Sequence, residues 1–425
     1  MKIKVKNATY EEICALPAPK TPHLKKPWRI LQFLLRIASL PGLWLNRFHC
    51  EKIGIKQAGK GPFLVLMNHS SFFDLNVAFR LMPQPFFLVC TADALIGKEW
   101  ILRKVGCLPT TKFTPDIGLT RNITRAIHEK KTNVLLFPEA GYSFDGTATT
   151  LPTGLAAFLK KLNAPVLTIV TNGCYLHQPL YNNLRKRKVP ISAKMQCLFT
   201  RDDLANKSAE DLQADIEKTF TFDNFKAQRM GQVRVDDANR AEGLHRVLYK
   251  CPACHAERQM LGEGSTLTCK ACGKIYQMDE YGTMHAQSGQ TQFSHIPDWF
   301  AWQRACVREE VQKNDYQTVL PVEVLVMHGN KCIYRIGDGV LSHDKDGFTL
   351  TNGDNSQFYH HQPTLYSYSV NADYNWYELG DVVSIGDKKT QFYCIPKDGT
   401  PVSKLRFAAE ELYKLRKNDL AEKNS

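Results

Sequence analysis

The strongest constraint on the fold is an alternation of short apolar runs and amphipathic segments between residues 61 and 225. Short apolar runs predict strands that are buried on both faces, and they fall at residues 63–67, 86–89, 134–137, 166–170 and 191–199. The amphipathic segments predict helices, and they fall near Ser70 and at residues 98–105, 117–129, 155–162 and 209–219. This alternation predicts an α/β domain over residues 51–225, with helices on both faces of a sheet.

The pattern changes after residue 225, as expected for a chain of 425 residues that should hold two to four domains. Polar residues 226–245 predict a linker, and residues 246–284 form a separate unit around four paired cysteines. Residues 290–420 predict a β-rich domain with a closing helix. Its strands are predicted at 322–326, 332–336, 348–351 and 391–395, and its helix at 403–417. Antiparallel strands capped by one C-terminal helix resemble a pleckstrin-homology-like domain.

Positive charge is concentrated near the start of the chain. Residues 1–60 contain twelve Lys and Arg against three acidic residues, which supplies +9 of the formal net charge of +13. Residues 28–40 are mostly apolar, and their polar side chains are spaced three, four and three apart: Arg29, Gln32, Arg36 and Ser39. That spacing predicts a helix with one narrow polar stripe.

This helix is expected to end at Pro41-Gly42, because proline has no backbone N–H for the helical ladder. A mostly apolar helix with arginines and flanking tryptophans, beside a basic stretch, is typical of a helix in a bilayer interface. We therefore expect residues 1–50 to form a basic, amphipathic segment that lies on an anionic membrane surface. The alternative is a buried helix of a soluble core.

The cysteines and the N-terminal sequence bear on location. Nine of the thirteen cysteines are scattered singly and four form two Cys-x-x-Cys pairs, so a secreted disulfide framework is not expected. The first residues lack an apolar stretch followed by a small-residue cleavage site, so a signal peptide is not expected. No apolar run reaches the ~18 residues of a membrane span. These features predict a cytoplasmic protein bound peripherally to the membrane.

Residues 68–74 read Asn-His-Ser-Ser-Phe-Phe-Asp and follow the first predicted strand. An imidazole has a pKa near 6.5, so His69 can accept a proton near neutral pH. Asp74, on the first turn of the next helix, can fold back and hold one ring nitrogen of His69. The other ring nitrogen would then be free to act as a general base on a substrate hydroxyl.

Four elements in order resemble the glycerolipid acyltransferase family, typified by lysophosphatidate acyltransferases. In that family Asn-His-x4-Asp precedes a Gly-containing segment ending in Arg, then Phe-Pro-Glu-Gly-Thr-Arg-Ser, then an apolar strand with proline. The matching stretches here are residues 68–74 (NHSSFFD), 106–112 (GCLPTTK), 137–143 (FPEAGYS) and 164–170 (APVLTIV). The resemblance covers about residues 50–225, roughly half of the chain.

The resemblance implies an O-acyltransferase that moves a fatty acyl group from acyl-CoA or acyl carrier protein to a hydroxyl of a lysoglycerolipid similar to 1-acylglycerol-3-phosphate. It implies that His69 deprotonates the acceptor, that Asp74 stabilises the imidazolium, and that no acyl-enzyme forms. It also implies that Lys112 pairs with a substrate phosphate. Glu139 and Gly141 would shape the acceptor site, and a structural role at the strand end is the alternative for Glu139.

Two positions depart from the family pattern. Tyr142 stands where the third element has its arginine, and Ala140 replaces that element's first glycine. Arginine suits two-point contact with phosphate, so an acceptor phosphate lacks that contact here. The basic run at residues 185–188 is a candidate substitute, and a solvated basic loop is the alternative.

The two cysteine pairs predict a metal site. They are separated by fourteen residues, and their members are Cys251, Cys254, Cys269 and Cys272. Two such pairs supply the four thiolates of a tetrahedral zinc site, and four protein ligands indicate a structural zinc ribbon. Unbonded cysteines or redox pairs are the alternative. Residues 246–283 hold five Lys and Arg against four acidic residues, so the ribbon lacks a marked basic patch.

Two other functions compete with acyl transfer. One is a membrane-associated scaffold in which a degenerate acyltransferase domain carries the zinc ribbon and the β-rich domain; retention of His69 and Asp74 argues against it. The other is a nucleic-acid-binding zinc protein, which the pI of about 9.0 suggests. The excess positive charge lies beside an amphipathic helix rather than on the ribbon, so nucleic acid is not an expected partner.

Overall fold

The computed structural model describes residues 3–17, 23–329, 332–352 and 358–423. The predicted segment 1–50 and the predicted domain 290–420 each contain positions outside the described residues: 1–2, 18–22, 330–331 and 353–357.

The described part of the segment 1–50 divides between two regions of the molecule. Strand β1 (Val5–Asn7) and helix α1 (Tyr10–Cys14) belong with the C-terminal half of the chain. Helix α2 (Arg29–Leu45) packs on the sheet domain instead. Within the described residues, no helix has both the length and the apolarity needed to cross a bilayer.

Helix α2 continues past Pro41 to Leu45, so the prediction that Pro41-Gly42 ends it is wrong. Proline removes one backbone hydrogen bond, but Asn46 closes the last turn. Its backbone and side-chain N–H groups donate to the Gly42 carbonyl at 3.3 and 2.8 Å. Burial of Leu43 in the core of the sheet domain also favours the longer helix.

A mixed sheet forms the first large unit, as the alternation predicted. Its strands are β2 (His49–Ile53), β3 (Leu64–Met67), β4 (Phe86–Thr91), β5 (Cys107–Thr110), β6 (Asn133–Leu136), β7 (Val166–Asn172) and β8 (Ser192–Phe199). The spatial order is β2-β8-β7-β3-β6-β4-β5, with β7 and β8 antiparallel and the other pairs parallel. The sequence prediction omits β2 and β5, which lie at the two edges and lack a long apolar run.

Helices cover both faces of this sheet. They are α3 (Asp74–Leu81), α4 (Glu99–Val105), α5 (Ile117–His128), α6 (Leu155–Leu162), α7 (Cys174–His177), α8 (Arg201–Asn206), α9 (Ala209–Thr219) and α10 (Asn224–Met230). Alternate residues of β3 face opposite sides: Leu64 and Leu66 pack with α5, α6 and α9, whereas Val65 and Met67 pack with α2 and α3. The predicted α/β architecture is confirmed.

The predicted linker 226–245 is an ordered part of the structure. Arg187 and Asp237 form an ion pair at 2.9 Å, and the Tyr181 hydroxyl donates to the Arg240 carbonyl at 2.7 Å. The polar residues that predicted a linker therefore form hydrogen bonds and ion pairs between the sheet domain and the cysteine unit. Because Arg187 is buried in this way, the basic run 185–188 is neither a solvated loop nor an open anion site at that residue.

The cysteine unit is a small antiparallel sheet followed by a helix. Its strands are β9 (Met260–Glu263), β10 (Thr266–Cys269), β11 (Ile275–Met278) and β12 (Met284–Ala286), and the helix is α11 (Ile296–Gln312). The buried Trp299 of α11 donates its indole N–H to the Lys250 carbonyl at 2.9 Å. This contact fixes the helix beside the first cysteine pair.

The C-terminal half is β-rich, as predicted. It contains β13 (Thr318–His328), β14 (Ile333–Asp344), β15 (Gly347–Thr351), β16 (Tyr359–Pro363), β17 (Asn371–Trp376), β18 (Gly380–Gly386), β19 (Thr390–Pro396) and α12 (Val402–Lys423). The antiparallel order is β16-β15-β14-β13-β19-β18-β17, and β1 adds to β14 in parallel. The long strand β13 pairs with both β14 and β19 and so joins a four-strand to a three-strand meander.

One apolar core runs through all three units. It includes Phe144 and Tyr175 of the sheet domain, Leu267 of the cysteine unit, and Val383 and Leu405 of the C-terminal half. A core shared in this way holds the C-terminal half firmly against the sheet domain.

Candidate active site

The site begins where β3 ends. The buried side chain of Asn68 bridges to Thr171 on the neighbouring strand β7: its amide N–H donates to the Thr171 carbonyl at 3.1 Å, and its oxygen accepts the Thr171 backbone N–H at 2.8 Å. These bonds continue the sheet by one residue and fix the direction of the chain at His69. The site therefore lies at the carboxyl end of a parallel strand, where open α/β sheets place their ligands.

His69 and Asp74 are in direct contact. The Nδ1 atom of His69 is 3.0 Å from Oδ2 of Asp74, the first residue of α3. The same oxygen accepts the backbone N–H groups of Ser70 and Ser71 at 2.7 and 2.9 Å, and the carboxylate is fully buried. With its Nδ1 proton donated to Asp74, His69 keeps a lone pair on Nε2.

The environment keeps the imidazole neutral. Its side chain is 16% exposed and stacks on Phe137 and Tyr142, with ring centres 4.0 and 4.2 Å away. Burial lowers the pKa of His69 below its usual value, although the hydrogen bond and charge of Asp74 oppose the effect. A neutral imidazole is the form that can accept a proton.

Glu139 lies beneath His69. Its Oε2 accepts the His69 backbone N–H at 3.3 Å, and the side chain is fully buried. Burial raises the pKa of Glu139 to about 8, so the carboxyl is mainly protonated at pH 7. The next residue, Ala140, has a φ of 55°, which forms the tight turn that leads to Gly141. The structure therefore places Glu139 as a support for the histidine loop.

Lys112 reaches the same loop from the end of β5. Its ammonium lies 5.8 Å from the centre of the Tyr142 ring, which in turn stacks on His69. Its charge helps to lower the pKa of His69, though less than burial does. The structure thus brings together all five residues that the sequence predicted for this site: His69, Asp74, Lys112, Glu139 and Gly141.

The C-terminal half borders the site, and the sequence analysis did not predict this. The indole N–H of Trp376 donates to Asp93 at 3.0 Å, and Tyr374 stacks on Phe144 with ring centres 4.3 Å apart. Asp373, which precedes Tyr374 in β17, faces the charge of Lys112; burial raises its pKa to about 6, and Lys112 opposes the shift. These residues lie more than 200 positions from the loop along the chain, and no periodic pattern in the sequence indicates that they approach it.

The four paired cysteines converge as predicted. Their sulfur atoms all lie within 4.8 Å of one another, and the Sγ–Sγ distances are 3.8 Å for Cys251–Cys272 and 3.7 Å for Cys254–Cys269. A tetrahedral zinc ion with Zn–S bonds of about 2.3 Å separates its sulfurs by about 3.8 Å. The arrangement of the four sulfurs therefore fits zinc.

Helix α2 turns an apolar face outward, which we call the α2 face. Its side chains are each 44–79% exposed: Trp28, Ile30, Phe33, Leu34, Ile37, Leu40, Trp44 and Leu45. On the opposite side, Gln32 is buried and donates to the carbonyls of Phe86 and Val105, both at 2.6 Å. The helix therefore uses part of its polar stripe to anchor to the protein, and its apolar side chains meet solvent.

Helix α2 lies next to the loop that holds His69 and Asp74. A Cβ placed on Gly42 of α2 would approach the Phe73 ring to 3.2 Å, so the helix backbone rests on that ring. The adjacent Phe72 is half exposed, within the same loop as His69 and Asp74. Helix α2 thus packs directly on the loop that holds the histidine, and this loop exposes one apolar side chain of its own.

Comparisons with known proteins agree with the motif pattern. Residues 48–172 match the family model described as Acyltransferase. A 1-acyl-sn-glycerol-3-phosphate acyltransferase from Cocos nucifera is 22% identical over 144 residues, which are 33% of this chain and 46% of that protein. The chain thus spans about half the length of this curated relative. The crystal structure of PlsC, a 1-acyl-sn-glycerophosphate (LPA) acyltransferase from Thermotoga maritima, aligns with 44% of this chain and 76% of its own, at 16% identity and a TM-score of 0.35.

The burial of Glu139 predicts a pH-dependent effect of Glu139→Gln on stability. The pKa of this carboxyl is about 8 in the folded chain, above its usual value. The folded state therefore retains a proton that the unfolded state releases, and wild-type stability should fall relative to the variant as the pH rises toward 8. Thermal unfolding midpoints at pH 5 and pH 9 measure the difference.

Glu263→Gln, at an exposed position, is the matched control and should change the midpoint equally at both pH values. A difference between Glu139→Gln and wild type that is the same at pH 5 and pH 9 would contradict the assignment of a protonated Glu139.

Proposed function

We propose that this protein is an O-acyltransferase acting on a glycerolipid, because residues 48–172 match the acyltransferase family model. The donor is acyl-CoA or acyl carrier protein, and the acceptor is a lysoglycerolipid similar to 1-acylglycerol-3-phosphate. The observation that carries the proposal is the contact of 3.0 Å between His69 and a buried Asp74, within the motif that the family uses.

The proposed reaction uses this contact as follows. Nε2 of His69 accepts the proton of the acceptor hydroxyl as the oxygen attacks the carbonyl carbon of the thioester. The C–O ester bond forms, the C–S bond breaks, and the imidazolium returns its proton to the departing thiolate. Asp74 holds the ring in the productive tautomer and stabilises the transient positive charge. No covalent bond to the protein forms at any step.

The remaining predicted residues serve the substrates in this proposal. Lys112 supplies a positive charge for a substrate phosphate, as a single ammonium rather than a fork. Glu139, neutral at pH 7, supports the His69 backbone at 3.3 Å, and Gly141 keeps the neighbouring turn free of side-chain bulk. A catalytically degenerate scaffold is the alternative, and the intact His69–Asp74 contact does not favour it.

Replacing His69 with Ala should abolish acyl transfer, and Asp74→Asn should lower kcat/KM by about 10⁴-fold because the ring loses its orienting carboxylate. Since burial lowers the pKa of His69, wild-type kcat/KM should fall only below pH 6.5. The residual activity of Asp74→Asn should fall at a still lower pH, because Asp74 raises that pKa. The rate at which the donor thiol is released, followed with a thiol reagent, measures the activity of both variants and the two pH profiles.

The matched control is His285→Ala. His285 also contacts a carboxylate, that of Asp279 at 3.1 Å, but it lies in the cysteine unit. It should retain wild-type rates. Undiminished transfer by His69→Ala would reject the mechanism, and a wild-type protein that consumes no thioester with any lysolipid acceptor would support the scaffold.

We further propose that the α2 face inserts into the cytoplasmic surface of a membrane and places the site at the lipid boundary. An apolar face that meets solvent costs free energy in water and gains it in the acyl region of a bilayer. A groove of about 970 Å³ beside this face is bordered by Arg36, Lys52 and Arg80. These cations suit the headgroups of anionic lipids.

A triple variant of the α2 face, Phe33→Ser, Leu34→Ser and Trp44→Ser, should lose most flotation with vesicles that contain anionic lipid. Each buried side chain of this size contributes about 1.5–3 kcal/mol, so the partition coefficient should fall more than tenfold. The fold should survive because all three side chains are at least half exposed.

Met230→Ser provides the control, because Met230 is 77% exposed and lies away from α2. Equal flotation of the triple variant and wild type, or an equal loss for Met230→Ser, would contradict membrane insertion by the α2 face.

For the cysteine unit we propose a structural zinc ribbon, and for the C-terminal half a pleckstrin-homology-like domain. The sulfur spacing of 3.7–3.8 Å supports the first. Two meanders joined by the long strand β13 and packed against α12 support the second. Bound zinc would cross-link Cys251 and Cys254 to Cys269 and Cys272, and so stabilise the short strands between them.

The purified protein should contain about one zinc ion per chain. Cys254→Ser should remove the metal and lower the free energy of unfolding by several kcal/mol, because metal binding to such a unit is coupled to folding. Elemental analysis and thermal unfolding measure the two effects. Cys14→Ser, at an exposed cysteine outside the unit, should change neither. A metal-free wild-type chain from zinc-supplemented cells would reject the zinc ribbon.

A further inference from the structure

We propose that Arg406, on helix α12 of the C-terminal half, completes the substrate site by holding a substrate phosphate beside the loop of residues 139–143. The inference rests on the proposed function and extends it, because it makes the C-terminal half part of the binding site. It also identifies a cation for a loop that carries none of its own.

The position of Arg406 is the first argument. The side chain is 7% exposed, and its guanidinium carbon lies 5.1 Å from the centre of the Phe144 ring and 5.9 Å from that of Phe113. Phe113 follows Lys112, and Phe144 follows the loop. One terminal nitrogen, Nη1, is 4.0 Å from the place that a Cβ on Gly141 would occupy. Arg406 therefore lies against the loop, among residues adjoining the predicted site.

The hydrogen bonds of Arg406 are the second argument. Its Nε donates to Glu410 at 3.1 Å. Within the described residues, Nη1 and Nη2 donate to no hydrogen-bond acceptor. Paired terminal N–H groups of a guanidinium match two oxygens of one phosphate. Nη1 lies 4.0 Å from the Cβ position of Gly141, so these terminal N–H groups are suited to an incoming anion at the loop.

The charge balance is the third argument. Arg304 and Arg406 both contact Glu410, and against the effect of burial they lower its pKa to about 2. Arg304 also pairs with Glu411, which in turn contacts Arg308 and Lys414. Four cations thus share two carboxylates, and the cluster carries an excess of positive charge. Glu139, which is nearby, does not neutralise it, because burial keeps that carboxyl mainly protonated at pH 7.

Lys112 and Arg406 together define the ligand. Lys112 approaches the loop at Tyr142 and Arg406 approaches it at Gly141, so two cations from different parts of the chain meet the same turn. A phosphate monoester carries up to two negative charges and suits such a pair. Both proposed substrates contain phosphate: the acceptor in its headgroup, and the donor in its coenzyme A or phosphopantetheine portion.

The test compares full-length Arg406→Gln, Arg406→Lys and Arg304→Gln. Arg406→Gln should raise KM for one phosphate-bearing substrate about tenfold or more with little change in kcat, as expected for loss of a charged hydrogen bond. Arg406→Lys should recover part of the loss, because it restores the charge without the fork. Arg304→Gln removes the other guanidinium that contacts Glu410 and should leave both KM values unchanged.

The KM values for the two substrates identify whether Arg406 binds the phosphate of the acceptor or that of the donor. A rise in KM for 1-acylglycerol-3-phosphate, with none for monoacylglycerol, assigns it to the acceptor. A rise in KM for acyl-CoA assigns it to the donor. Unchanged KM values for Arg406→Gln, or equal losses of activity and thermal stability in Arg406→Gln and Arg304→Gln, would overturn the proposal and leave Arg406 as a structural ion pair.

Binding of 1-acylglycerol-3-phosphate and of acyl-CoA to the His69→Ala chain, with and without Arg406→Gln, separates this inference from the proposed function. If either ligand binds in a way that depends on Arg406 but wild type transfers no acyl group, the proposed activity is rejected and the phosphate site stands. Acyl transfer by wild type, with both affinities unaffected by Arg406→Gln, would reject the site and keep the activity.

Discussion

The carboxylate of Asp74 is the group on which the site depends. It is fully buried, and a buried charge is costly unless several donors compensate it. Four donors do so: the backbone N–H groups of Ser70 and Ser71, the imidazole of His69 and the hydroxyl of Thr171. The same bonds that make the charge tolerable therefore fix the loop, the start of α3 and the direction of the histidine ring. Loss of this carboxylate would release all three at once.

The cysteine unit helps to hold the C-terminal half at this site, in addition to the direct contacts with the sheet domain. Lys404 of α12 pairs with Glu257 at 2.9 Å, and the Ser403 hydroxyl donates to the Arg246 carbonyl at 3.2 Å. These contacts lie one turn or less before Arg406 on the same helix. The position of the guanidinium beside the loop thus depends on a unit whose own stability we attribute to zinc. A metal site outside the catalytic machinery would then contribute to substrate binding by keeping α12 in place.

Sequence patterns predicted those parts of the structure that rest on local periodicity. Central strands such as β3 and β7 are buried on both faces and read as apolar runs, whereas the edge strands β2 and β5 do not. His69 and Asp74 were predictable because their contact spans five residues. Arg406 was not, since its approach to Gly141 joins positions 265 residues apart through the packing of α12. The end of α2 was missed for a similar reason: Asn46 and the buried Leu43 outweigh the local effect of Pro41.

The charges around the loop connect substrate binding to the strength of the base. Burial lowers the pKa of His69 and the charge of Lys112 adds to the effect, so His69 is a weak, neutral base. A phosphate that binds Lys112 and Arg406 would bring negative charge toward the imidazole and offset this effect. The pKa of His69 would then rise toward that of a more effective base only when the substrate is in place. Lys112 and Arg406 would therefore do more than bind the phosphate. Because the bound phosphate neutralises their charge, it would also stabilise the imidazolium that His69 becomes when it deprotonates the hydroxyl.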